Sequence, residues 1–150
     1  MHTLTPINPI KSMLRHIQYG LIFSVLAMFC ASLVFPAIKV GTWPAEKGVD
    51  YFLVGWLGPV AGHFDWFANP LIGFGLKNAW QKNYARAVIY SILALLLTLQ
   101  TLYRGCMVQN EGGYCQSISE YLIGYWLWVS SASLLVVWAI AGCVFIRKKP

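Results

Sequence analysis

Four polar side chains lie inside long apolar stretches of this sequence, and they are the residues whose types could support chemistry. His63, Asp65 and Asn69 fall within the segment GWLGPVAGHFDWFANP, and Gln100 lies in a later apolar run. An ionisable side chain in such a segment is costly to bury, so Asp65 is a candidate functional residue. No Ser–His–Asp set and no metal-ligand spacing accompanies it. We therefore expect no catalytic residue, no metal and no cofactor.

The composition indicates which elements must position these residues. The chain has 150 residues, of which 58% are hydrophobic and 11% are charged. Soluble domains carry about 25% charged residues, so this chain has too few charges to cover a soluble surface. The net charge of +6 does not indicate nucleic-acid binding, because the basic residues flank the apolar runs. We expect a single integral domain of the all-α membrane class, in contact with the lipid bilayer.

Four apolar runs predict four transmembrane helices, since a spanning helix needs roughly 20 apolar residues. They cover residues 17–38, 51–76, 87–103 and 121–146. The second run contains two prolines, which remove backbone donors and disfavour a continuous helix. We therefore expect the second helix to be kinked or broken.

The second run also contains a stripe of small and polar residues, if it is helical. At about 100° per residue, one narrow face carries Gly55, Gly58, Gly62, Asp65, Asn69 and Gly73. Small residues allow close approach of another helix, and polar ones can bond across the contact. This pattern predicts that Asp65 lies near the membrane centre at a helix contact. The expected partners are Gln100, Ser130, Ser131 or Ser133, while His63 points to a different side.

The basic residues predict the orientation in the membrane. With four helices and both termini in the cytoplasm, eight basic residues lie inside and three outside. Short cytoplasmic loops carry an excess of Lys and Arg, so this count favours that arrangement. The inside set is Lys11, Arg15, Lys77, Lys82, Arg86, Arg147, Lys148 and Lys149, and the outside set is Lys39, Lys47 and Arg104.

Two of the four cysteines share the second outer loop, GCMVQNEGGYC. The predicted orientation places Cys106 and Cys115 in an oxidising compartment, where disulfides persist. We expect a Cys106–Cys115 bond across this hairpin-like loop. Cys30 and Cys143 lie within predicted helices, where cysteine behaves as a small apolar packing residue.

The segment GWLGPVAGHFDWFANP, together with NEGGY and GYWLW, resembles a motif set of small bacterial inner-membrane proteins that have no established activity. The resemblance covers the second and fourth predicted helices and the loop before the fourth. It implies a multi-pass protein of a bacterial inner membrane. It assigns no role to any residue.

Two classes of function remain open at this point. The loops are short, so most of the surface is available for helix contacts with other membrane proteins or a second copy. This favours a non-enzymatic interaction protein, such as an immunity protein or an accessory subunit of a membrane complex. The alternative is a small-solute or proton-linked transporter or channel, with Asp65 as the titrating site.

Overall fold

The computed structural model describes residues 9–108 and 115–147, and most of these residues are helical. In chain order the elements are α1 (Pro9–Val34), β1 (Pro36–Val40), β2 (Glu46–Lys47), α2 (Gly48–Val54), a first 3-10 segment (Gly55–Ala61), a second 3-10 segment (Asp65–Phe67), α3 (Ala68–Trp80), α4 (Tyr84–Arg104), β3 (Cys106–Val108), β4 (Cys115–Tyr121) and α5 (Ile123–Arg147). Three helices, α1, α4 and α5, are long and apolar enough to cross a membrane. This agrees with the membrane class that the composition predicts.

The first, third and fourth predicted helices are present, with different ends. The first ends at Val34, so residues 36–38 of the predicted span belong to β1 instead. Pro36 disfavours helical geometry at the residue before it, which explains the early end. The third and fourth helices cover 84–104 and 123–147. Tyr121, predicted to begin the fourth helix, is the last residue of β4.

The second predicted span is not one helix. Residues 51–76 are divided among α2, the two 3-10 segments and α3. Gly62 ends the first 3-10 segment with a φ of +75°, a left-handed conformation that glycine adopts without strain. The backbone N–H of His63 then donates to the carbonyl of Gly58 at 2.9 Å, which folds the chain back on itself. The interruption that the prolines predict is therefore present.

The broken segment still extends along the length of α1. At its beginning, the N–H of Gly48 donates to the carbonyl of Phe35, just beyond the end of α1. At its end, the carbonyl of Trp80 accepts a bond from Gln18, and the Trp80 ring contacts that of Tyr19. Both Gln18 and Tyr19 lie in the first half of α1. Residues 48–80 thus return from one end of the helices to the other in short pieces.

A small antiparallel sheet joins one end of the helices, where the sequence analysis expected only polar loops. The strand order is β2-β1-β4-β3. The sheet lies where α1 and α4 end and α5 begins, so we call this end the sheet end. Lys39 of β1 faces Glu120 of β4, and a nearby bulge leaves Ser119 to donate to the carbonyls of Lys39 and Gly41. The all-α prediction is wrong in this respect.

The half of the bundle away from the sheet is closely packed. Its fully or almost fully buried apolar side chains include Ile72, Ala79, Ala87, Ala94, Ala132, Leu135, Trp138 and Ala139. Helix α3 approaches α5 so closely that a Cβ on Gly75 would stand 2.8 Å from Leu135 Cδ2. A smaller buried cluster of Ala37, Ile38, Val40 and Tyr125 lies beneath the sheet.

Candidate functional site

A cavity of about 1100 Å³ lies at the sheet end, between the broken segment, the sheet and the ends of the three long helices. We call it the sheet-end cavity. Its walls combine apolar and aromatic side chains with a group of polar ones. The polar and charged lining residues are Ser32, Glu46, Asp50, Tyr51, His63, Asp65, Asn69, Thr101 and Arg104. Three of the candidates from the sequence, His63, Asp65 and Asn69, are among them.

Asp65 lies in the wall of this cavity and is paired with Arg104. Arg104 Nη2 forms an ion pair with Asp65 Oδ1, and the Thr101 hydroxyl donates to Asp65 Oδ2 at 3.0 Å. The side chains of Arg104 and Asp65 are 10% and 17% exposed. Asp65 thus has a cation and a hydroxyl donor as partners in a nearly buried site.

Asp65 contacts another helix, α4, but at a different level along the helices and with different partners from those expected. Arg104 is the last residue of α4, so Asp65 lies level with the sheet end and not at the middle of the helices. Gln100 is exposed and does not reach it. The hydroxyls of Ser131 and Ser133 donate to carbonyls of their own helix, and Ser130 is exposed.

The predicted stripe of small residues does not form, because residues 55–73 are not one helix. Gly55 lies against the Trp66 ring, and Gly58 lies against His63. Gly73 has open space beside it, with no atom within 4 Å of where a Cβ would stand. These glycines therefore serve different local contacts and do not create one face for a neighbouring helix.

Hydrogen bonds from aromatic side chains hold the cavity walls in place. Trp128 Nε1 donates to Asn69 Oδ1 at 3.0 Å, which links α5 to the start of α3. Trp66 Nε1 donates to the carbonyl of Phe52 at 2.8 Å and connects the second 3-10 segment to α2. Each bond joins two elements that are distant in sequence, so together they make the cavity a largely pre-formed site.

The hydroxyl groups of two tyrosines fix the α4 side of the cavity. Tyr121 donates to the carbonyl of Thr101 at 2.9 Å, and Tyr125 donates to the carbonyl of Thr98 at 2.9 Å. Ser, Thr and Tyr groups that bond to backbone carbonyls leave few buried polar atoms unpaired. The backbone beside Thr101 is thereby held where its hydroxyl can reach Asp65.

Three buried polar atoms on the cavity wall lack a hydrogen bond of normal geometry. They are Nε2 of His63, the hydroxyl of Tyr51 and Nη2 of Arg104. Arg104 Nη2 belongs to the ion pair with Asp65, and the Tyr51 hydroxyl lies beside the Glu46 carboxylate. Of these three atoms, His63 Nε2 is the one left without a polar partner.

An unpaired buried polar atom is costly, which makes His63 Nε2 informative. Leaving such a group unsatisfied costs about 1–3 kcal/mol, and native proteins contain few of them. An imidazole nitrogen can exchange a hydrogen bond with a bound molecule, and His63 borders the sheet-end cavity. The arrangement is therefore suited to binding a ligand that supplies a polar partner.

The cysteines of the second outer loop lie in a β-hairpin. In the β3–β4 register, Cys106 is opposite Ser117 and Val108 is opposite Cys115, so the two cysteines are diagonal neighbours. The free thiols found in the described part of the chain are Cys30 and Cys143. The side chain of Cys115 lies outside the described residues, so the Cys106–Cys115 bond stays a prediction.

Sequence reasoning identified Asp65, His63 and Asn69, and the structure brings all three to one cavity. It did not identify Arg104, Thr101 or Tyr51. Arg104 was counted as an outer-loop charge, although it directly follows an apolar run that lacks an acidic partner. The sequence contains an Arg without an acidic neighbour at a helix end and an Asp without a basic neighbour in a broken segment. Their opposite charges could have predicted this ion pair.

Among residues 9–108 and 115–147, no group of three or more His, Cys, Asp or Glu side chains is placed to hold a metal ion. The comparisons add no family: no protein-family profile, curated protein or solved structure matches this chain.

Proposed function

We propose that this chain is a non-enzymatic membrane protein that binds a small ligand in the sheet-end cavity. The observation that supports this is the buried nitrogen His63 Nε2, which has no hydrogen-bond partner and lies on the wall of one large cavity. Ligand sites are typically clefts of about 300–1,000 Å³, mainly apolar with a few polar groups. The sheet-end cavity has this character and, at about 1100 Å³, is slightly larger. Ligand binding is thus the form of interaction that the geometry favours over a protein-partner role.

The membrane arrangement belongs to the same proposal. The chain resides in a bacterial inner membrane and passes through it four times, with the broken residues 48–80 as the second pass. Both termini are cytoplasmic, as the eight-to-three distribution of basic residues favours. The sheet end, and with it the mouth of the cavity, then faces the outer side.

A transporter or channel is less well supported. That hypothesis required Asp65 to take up and release a proton near the membrane centre, but Asp65 is held in an ion pair with Arg104 at the sheet end. The apolar core around Ile72, Leu135 and Trp138 fills the bundle below the cavity. A route across the membrane would require these helices to separate.

The test is saturable binding to the purified protein in lipid nanodiscs. A panel of water-soluble phenylalkyl compounds, cationic, neutral and anionic, is titrated while intrinsic tryptophan fluorescence is recorded. Empty nanodiscs give the background from lipid partitioning. We expect at least one compound to bind saturably to the wild-type protein.

Two matched variants locate the binding site. Leu57 lines the cavity, and Leu57→Trp places a larger side chain at its edge. Leu96 is an exposed residue of α4 that does not line it, so Leu96→Trp is the control. Binding that Leu57→Trp abolishes and Leu96→Trp retains would support the proposal. No saturable binding of any panel member, or equal binding by both variants, would overturn it.

A further inference from the structure

We propose that the sheet-end cavity selects a small organic cation with an apolar body. This inference rests on the proposed ligand-binding function and specifies the chemistry of the ligand. It follows from the charges on the cavity wall and from the aromatic side chains beside them.

The charges on the cavity wall are unbalanced. The lining contains three carboxylates, Glu46, Asp50 and Asp65, and one permanent cation, Arg104. Arg104 already neutralises Asp65 through their ion pair. Glu46 and Asp50 therefore leave two negative charges without a counter-charge in the described lining.

These two carboxylates lie at the same part of the wall. Both lie near the hydroxyl of Tyr51, and the Glu46 carboxylate is within hydrogen-bonding reach of it. One Asp50 oxygen accepts a bond from the backbone N–H of Lys47 at 3.0 Å, which fixes that carboxylate at the start of α2. An anionic ligand would be repelled here, while a cationic one would be attracted.

Aromatic rings are the second feature of the cavity that favours an organic cation. Tyr51, Phe52, Trp66, Tyr125 and Trp128 all line the cavity. The ring centroids of Phe52 and Trp66 are 6.3 Å apart, and the Trp66 indole is held by its bond to the Phe52 carbonyl. An aromatic face attracts an organic ammonium through its ring quadrupole, and it also covers the apolar body of the ligand. Carboxylates beside aromatic rings are therefore suited to an amphipathic ammonium.

The experiment compares three probes of similar size and different charge. They are phenylethyltrimethylammonium, phenylbutanol and phenylbutyrate, titrated onto the protein in nanodiscs of neutral lipid. The quaternary ammonium has no proton to lose, so its charge is the same at every pH. We expect it to bind at least tenfold more tightly than the neutral and anionic probes.

Charge-removing variants test the cause of this preference. Glu46→Gln and Asp50→Asn each remove one lining charge and should weaken cation binding about two- to fivefold, the range for partly exposed charge pairs. Glu120→Gln removes the same charge from β4, outside the lining, and should leave the affinity unchanged. Binding of the neutral probe should be unaffected by all three variants.

The outcomes separate this inference from the proposed function. Saturable binding of all three probes with similar affinities, or a preference for the anion, would overturn cation selectivity while leaving a ligand site in place. A cation preference that Glu120→Gln reduces as much as Glu46→Gln does would assign the effect to overall charge and would also overturn it. Failure of every probe to bind would overturn both proposals.

Discussion

Arg104, the last residue of α4, forms an ion pair with Asp65, the first residue of the second 3-10 segment. The pair ties the broken segment to a long helix 36–39 residues further along the chain, with Thr101 as an additional donor. A nearly buried charge pair of this kind adds less net stability than its Coulomb energy suggests, but losing one partner is costly. Asp65 therefore acts as part of the cavity wall, with its charge compensated.

Asp65→Asn should destabilise the protein by about 3 kcal/mol, because it leaves the Arg104 guanidinium, whose side chain is only 10% exposed, without its anionic partner. The double variant Asp65→Asn/Arg104→Gln should lose clearly less than the sum of the two single changes, since partners in one ion pair are not additive. Denaturant unfolding followed by tryptophan fluorescence measures both. Glu120→Gln, at an exposed carboxylate of β4, is the control. Wild-type stability of Asp65→Asn, together with a strongly destabilised Asp65→Leu, would instead indicate a neutral Asp65.

Gly124→Ala should destabilise the start of α5 by about 1–3 kcal/mol, the usual range for overpacking. A Cβ there would stand 2.6 Å from the Phe35 carbonyl oxygen and 2.8 Å from that of Pro36, and backbone atoms cannot move aside easily. Gly20→Ala, in α1 with no atom within 4 Å of its Cβ position, is the matched control. Its stability should equal or exceed that of the wild type, because Ala is the better helix former. Equal thermal midpoints for both variants would contradict this close contact.

Non-reducing peptide mapping of protein from the bacterial envelope should show a Cys106–Cys115 linked pair. The two residues belong to adjacent strands of the β3–β4 hairpin. Cys30 and Cys143, which are free thiols, should be alkylated without reductant once the protein is unfolded. Alkylation of all four cysteines under the same conditions would contradict the disulfide.

A reporter fused after Pro150 should behave as cytoplasmic, and one inserted between Gly112 and Gly113 should behave as periplasmic. The reason is the excess of Lys and Arg in the segments predicted to lie inside. Each site is tested with a phosphatase fusion and with a fluorescent-protein fusion, which give opposite signals for the same orientation. High phosphatase activity at the C-terminus would overturn the topology.

The amino-acid sequence alone was sufficient for the features that depend on local composition. Runs of about 20 apolar residues predict long membrane helices, because the lipid interior requires internal backbone hydrogen bonds, and α1, α4 and α5 are found at those places. Pro59 and Pro70 predict an interruption in the second run, because proline lacks the backbone donor that a helix needs. Both features depend only on residues that are consecutive in the sequence.

The sheet and the cavity were decided by tertiary structure. The strands are short, and each pairs with residues far away in the sequence, such as Ile38 with Tyr121. The local pattern of residues does not predict such long-range pairing. Because residues 48–67 fold back in short pieces, Asp65 lies at the sheet end and not at the expected middle of the helices. There the long side chain of Arg104 reaches it. A prediction that treats the segment as one continuous helix does not give this contact.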